Sequence, residues 1–281
     1  MTTTQEPDTA TAPATATAKE ILVNVVLDRS GSMQSCQDGT ISGYNEYLKG
    51  LKADKDNNYN VSLIQFDTPA NQPELTVSYV DKPLADVPEL NNTTYQPRGM
   101  TPLYDAIGEC VRRVDAKSRG VLTVIITDGM ENASQEFNLG SIKKLISEKE
   151  AEGWKFIFLG ANIDSAAVGG SMGIAATDCA NYMVGNEASV YANVSNSAMR
   201  YASATTSHGV GSAHARMMAC FTVDERNSMI GGRPAEPSTF HIPATVHIPS
   251  IVTNPTGSIT FDPAKTKRPT NKPRTQWKVR S

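Results

Sequence analysis

The run Asp28-Arg-Ser30-Gly-Ser32 sets one carboxylate and two hydroxyls at alternate positions, directly after the apolar stretch ILVNVVL (21–27). Oxygen donors at that spacing suit a hard divalent cation, although a plain Gly/Ser turn has the same composition. Two further segments carry the same chemistry. Thr101 stands before a proline in RGMTPLYDAI, and Asp128 follows the apolar run VLTVIIT (121–127). Asp28, Ser30, Ser32, Thr101 and Asp128 together offer two carboxylates and three hydroxyls. Such an all-oxygen set suits Mg²⁺, Mn²⁺ or Ca²⁺ and, with no His or Cys in it, not zinc. An EF-hand loop starting at Asp28 needs Gly at its sixth place and Glu at its twelfth. Met33 and Gly39 stand there, so that reading fails.

The elements that must position these groups alternate between two periods. Short β-rich runs are ILVNVVL, NVSLIQF (60–66), LTVSYV (75–80), VLTVIIT, KFIFLG (155–160) and a weaker NYMV (181–184). Between them lie helical spacings: Ile41, Tyr44, Leu48 and Leu51; Leu103, Ile107, Val111 and Val114; Ile142, Leu145 and Ile146; and a looser Val190, Val194 and Tyr201. The runs at 21, 121 and 155 are continuously apolar, as strands covered on both faces should be. LTVSYV alternates and follows its predecessor through a short link, which predicts an antiparallel edge strand. The expected fold is therefore a doubly wound, Rossmann-like α/β domain, its sheet mostly parallel with one antiparallel edge strand and helices on both faces. Ligands of such sheets bind beyond the carboxyl ends of the strands, where the strand order reverses. Thr101 is predicted there as a helix N-cap, with Pro102 at the first helical position.

The chain has 281 residues, 39% of them hydrophobic, 20% charged, and a net charge of -3. That composition is ordinary for a globular protein. The charge is uneven: from Arg233 onward eight basic residues face two acids, leaving 18 basic and 27 acidic residues before it. Four scattered cysteines without a CxxC pair fit free thiols in a reducing compartment. The start MTTTQEPDTA has neither a basic n-region nor an apolar h-region, and no apolar run approaches the ~20 residues of a membrane span. A cytoplasmic protein is expected.

Four regions follow from the composition. Residues 1–18 are Thr/Ala-rich and expected to be disordered. Residues 19–205 form the α/β domain, and 206–232 a linker with one short helix opened by a Thr222-x-x-Glu225 capping box. Residues 233–281 form a basic, Pro-rich extended arm, since half of the 16 prolines fall there and forbid helices and central strands.

Asp28-x-Ser30-x-Ser32, Thr101 in GMTPLYDAI and Asp128 in ITDGMEN resemble the metal-ion-dependent adhesion site of von Willebrand factor A (VWA) domains, and FLGANID with the following GSMGI resembles cytoplasmic bacterial and phage members. The likeness covers about Glu20 to Ser203. It implies that Ser30 and Ser32 bind the ion directly, Thr101 directly or through water, and Asp28 and Asp128 mostly through water or hydrogen bonds. It also implies that the ion's remaining position takes an Asp or Glu of a partner protein. A non-enzymatic interaction module is expected, with an ATPase or a virion assembly protein as partner, and virion association if the gene is of phage origin.

Other readings compete. Aspartyl-phosphate phosphatases keep a nucleophile where Asp28 stands, but need a second Asp where this chain has Ser30. The basic tail suits nucleic acid, yet only Trp277 supplies an aromatic amid its charges. GGSMG (169–173) matches a serine-hydrolase elbow, but begins several residues after its strand. Asp105 and Glu131 are expected on a helix surface or behind the site. All four histidines (His208, His214, His241, His247) are expected as solvated loop residues.

Overall fold

The apolar runs pair into one sheet because each is covered on both sides. The computed structural model describes residues 20–68, 74–116 and 119–231; the expectations for 1–18 and for the arm at 233–281 lie outside them. Six strands, β1 (Glu20–Asp28), β2 (Asn58–Asp67), β3 (Glu74–Pro83), β4 (Gly120–Thr127), β5 (Lys155–Ala161) and β6 (Cys179–Tyr182), lie in the order β3-β2-β1-β4-β5-β6. All neighbours are parallel except β3, which runs antiparallel to β2 at the edge. Along β1, Ile21, Val23, Val25 and Leu27 enter the core beneath α1 (Gln37–Ala53) and α5 (Glu187–His208). Leu22 and Val26 enter the opposite core beneath α2 (Leu103–Arg113) and α3 (Leu139–Ala151). A two-residue repeat feeding two cores explains the unbroken apolar run. This is a doubly wound α/β fold.

The structure shifts two local expectations. The last strand starts at Cys179, two residues before NYMV. By residue 183 the chain has turned away, and the Met183 amide donates to the Met229 carbonyl (3.0 Å). Residues 206–231 are more structured than the expected linker with one short helix. After α5 come α6 (Ala213–Met218) and α7 (Val223–Met229), with Ala215, Ala219, Phe221 and Met229 buried in the core of α1 and α5. Arg200 of α5 forks onto Glu225 of α7 at 2.6 and 3.0 Å, a contact that apolar periodicity does not reveal. The Thr222–Glu225 capping box forms as expected. Finally, α4 (Ser165–Ser171) ends at Ser171, whose hydroxyl donates to the Val168 carbonyl, so the GGSMG serine sits on no strand-to-helix elbow.

The contact of α1 with α5 is close enough to test. A Cβ at Gly43 would lie 2.2 Å from the Tyr191 ring, and Tyr191 is itself buried. Overpacking costs about 1–3 kcal/mol, against about 1 kcal/mol of helix propensity gained by Gly→Ala. Gly43→Ala is expected to lower stability by a net of up to about 2 kcal/mol in urea unfolding; a gain in stability would mean the helices can part.

Candidate metal centre

The strand order reverses between β1 and β4, and there the candidate ligands meet. Asp28 closes β1 and Asp128 follows β4, 100 positions later in the chain but beside it in the sheet, since Leu27 pairs with Ile126. Asp28 is fully buried and both its oxygens are engaged. Oδ1 accepts the Ser30 amide (2.7 Å) and Oδ2 the Thr127 hydroxyl (2.5 Å). The Ser30 and Ser32 hydroxyls lie 3.1 Å apart, and Ser32 donates to Asp128 Oδ1 (2.6 Å). Thr101 joins through Gly129: a Cβ there would stand 3.1 Å from the Thr101 hydroxyl and 3.8 Å from that of Ser32. All five sequence-predicted residues are brought together.

The site has a floor and an opening. Asp28, Ser30 and Thr101 are buried, whereas Ser32 is exposed and Asp128 half-buried. Two large apolar side chains, Met100 and Met130, are 42% and 64% exposed next to Thr101 and Gly129. Burial pushes the Asp28 carboxyl up from 3.8 to about 7, against the opposing bonds from Thr127 and Ser30. Burial also raises Asp128, with the Ser32 hydrogen bond opposing. A desolvated carboxylate needs a compensating positive charge. The nearest arginine in sequence, Arg29, is committed elsewhere, to Asp67. Hard oxygen donors and an under-compensated pair of carboxylates fit a divalent cation.

Neighbouring groups hold these loops in place. Thr101 is not the helix cap that its sequence position predicts. Pro102 occupies the cap position without a side-chain bond. The first free amides of α2 are taken from across the site: Tyr104 donates to Glu131 Oε2 (2.9 Å) and Asp105 to Ser134 Oγ (3.0 Å). The Thr101 hydroxyl is thereby left for the centre. Asn132 clips the Thr101 backbone from both sides, accepting its amide (2.8 Å) and donating to its carbonyl (3.1 Å). Asp105 is buried, not on a helix surface, and accepts the amides of Gln135, Glu136 and Phe137. Tyr95, fully buried, donates to the Asp28 carbonyl (2.6 Å). The sequence reading missed Thr127, Tyr95 and Asn132; the signal available for Thr127 was its place in ITDG. His208 and His214 lie far along the chain, exposed, with rings 4.0 Å apart.

No protein-family model matches this chain, and no curated protein matches it. Similar solved structures include the vWF domain of the type V pili tip protein Mfa5 from Porphyromonas gingivalis, at 10% identity over 63% of this chain and 94% of that one, with a TM-score of 0.48. Proximal thread matrix protein 1 of the mussel byssus is similar at 13% identity over 63% of this chain and 45% of that one (TM-score 0.46). Manganese-loaded TRAP from Plasmodium vivax is similar at 16% identity over 50% and 57% (TM-score 0.37). The chain spans less than two thirds of the mussel and Plasmodium proteins.

Proposed function

We propose that this protein is a metal-dependent interaction module of the VWA type. Ser30, Ser32 and Thr101 hold a divalent ion, Mg²⁺ first and Mn²⁺ or Ca²⁺ as alternatives, with Asp28 and Asp128 acting through water or hydrogen bonds. The observation that carries the reading is the chain of contacts Asp28–Ser30–Ser32–Asp128 at the sheet's reversal point, with Thr101 beside it. An ion held mainly by neutral hydroxyls stays electrophilic and favours one more anionic oxygen from a partner's Asp or Glu. The exposed Met100 and Met130 suit a protein partner, because methionine adapts to apolar side chains of varied shape. The reading is non-enzymatic: Ser30 stands where an aspartyl-phosphate phosphatase needs its second Asp, and a hydroxyl is no general acid near neutral pH. A cytoplasmic location and an ATPase or virion assembly partner complete the proposal; among the described residues no helix is long and apolar enough to cross a membrane.

Mn²⁺ titration followed by electron paramagnetic resonance tests the site. One ion should bind per chain, and Thr101→Ala should weaken it at least about tenfold, or ~1.4 kcal/mol. Capture of a partner on the immobilised protein should need Mg²⁺, be lost in EDTA, and be lost equally with Thr101→Ala. Metal-independent capture would favour plain surface docking instead. Turnover of a phosphate ester that disappears in Asp28→Asn would establish the enzyme reading.

A further inference from the structure

Asp67 closes β2 one strand away from the metal centre, and it is a fully buried carboxylate that two arginines share. Arg29 binds it in a fork, Nε to Oδ2 and Nη2 to Oδ1, both at 3.1 Å, and is itself nearly buried. Arg98 reaches the same carboxylate with Nε at 2.6 Å. The sequence positions of these arginines give the arrangement its meaning. Arg29 lies between Asp28 and Ser30, and Arg98 lies three residues before Thr101. One carboxylate on a third strand thus holds both loops that deliver the hydroxyls.

The backbones of the two loops confirm that they are joined at this point. Arg98 donates its amide to the Arg29 carbonyl (2.8 Å), and Gly31 donates to the Gly99 carbonyl (3.0 Å). Met100 donates to the hydroxyl of Thr68, the residue after Asp67 (2.5 Å). Gly99 has φ +67, and a Cβ there would stand 2.3 Å from the Thr68 carbonyl oxygen, so only glycine lets the three segments approach. Arg29 also donates to Thr76 of β3 (2.9 Å), which fixes the cluster to the sheet edge.

We infer that Asp67, through Arg29 and Arg98, is a positioning residue that couples the Ser30/Ser32 loop to the Thr101 loop, so that the three hydroxyls converge on one point. Without the shared carboxylate the two loops would be joined to each other only by their backbone bonds, Arg98 to Arg29 and Gly31 to Gly99. Planar guanidinium groups suit this task because a fork fixes orientation as well as distance. The consequence for metal binding rests on the proposed function; the coupling of the loops does not.

Arg98→Ala is the first variant, since its side chain is 43% exposed and its loss leaves the Arg29–Asp67 pair intact. Hydrogen exchange on the metal-free protein should show the Gly31 and Met100 amides exchanging about tenfold faster, with Val25 and Val124 in the central strands unchanged. Mn²⁺ affinity should fall on the order of ten- to a hundredfold, as for partners that orient metal ligands, and Arg98→Lys should recover part of it. Asp67→Asn should do more of both. Wild-type exchange at Gly31 and Met100 in Arg98→Ala would overturn the coupling. Faster exchange with unaltered Mn²⁺ affinity would overturn the positioning role. Faster exchange in a protein whose wild type binds no Mn²⁺ would sink the metal reading and leave the coupling standing.

Discussion

Mg²⁺ or Mn²⁺ at about a hundred times its dissociation constant should stabilise the wild-type protein by about 2.7 kcal/mol, a rise of about 5–10 °C in melting temperature for a body of this size. Asp28→Ala and Ser30→Ala should each remove that rise while leaving a cooperative transition. The reason is that the ligands belong to the native state alone. They come from residues 28–32, 101 and 128, which an unfolded chain holds apart, so an ion held by the proposed site would bind only where the sheet has brought them together. In the proposed site Ser30→Ala deletes a direct donor. Asp28→Ala deletes the carboxylate that holds the Ser30 amide and the Thr127 hydroxyl, and with it the loop's geometry. Calorimetric scans with and without the ion decide the matter: an equal rise in wild type and both variants would mean the ion binds somewhere else.

The metal-free protein should lose stability as pH rises from about 4 to 7. Asp28 is held up to about 7 from 3.8 by burial. Between those values the native state keeps a proton that the unfolded chain has released, so stability falls with pH. The contribution is whole below about 4 and gone above about 7, and three units correspond to something on the order of 4 kcal/mol. Asp28→Asn should remove most of this slope; Asp128, moved the same way by burial, accounts for a remainder. A divalent ion favours the ionised carboxylate, so its stabilising increment should be small at pH 5 and full above pH 8. Urea unfolding across this range is the measurement. A flat metal-free profile would contradict the burial of an uncompensated Asp28.

Much of this was legible in the chain because the relevant signals are local. Unbroken apolar runs at 21–27 and 121–127 mark strands covered on both faces, and the alternation of LTVSYV marks the edge strand that β3 became. The five site residues stand at strand ends, where a carboxylate or hydroxyl beside apolar sequence is visible by eye. What escaped depends on distant partners. Thr101 reads as a helix cap until Glu131 and Ser134, 27 and 29 residues beyond the Tyr104 and Asp105 amides, are seen to supply those amides' acceptors. Asp67 ends its strand just as Asp28 does, but its meaning lies in arginines 38 and 31 positions away. The packing of α6 and α7 escaped for a related reason. Small residues such as Ala215 and Ala219 fill their contact with the core, and alanine carries little periodic signal.

The central strand of the sheet is the first one to be synthesised. β1 emerges with its apolar residues while β4, its partner on one side, is about 100 residues from being made, and β2 follows by about 38. At ~5–20 residues per second that interval is about 5–20 s on the ribosome. During it, the ILVNVVL segment has a neighbour on one edge at most and no helix over either face until α1 and α2 are complete. The strand that ends in Asp28 is therefore exposed to aggregation in the nascent chain while the rest of the sheet is made. Co-expressed holdases should raise soluble yield by covering this one stretch, whatever the final protein binds.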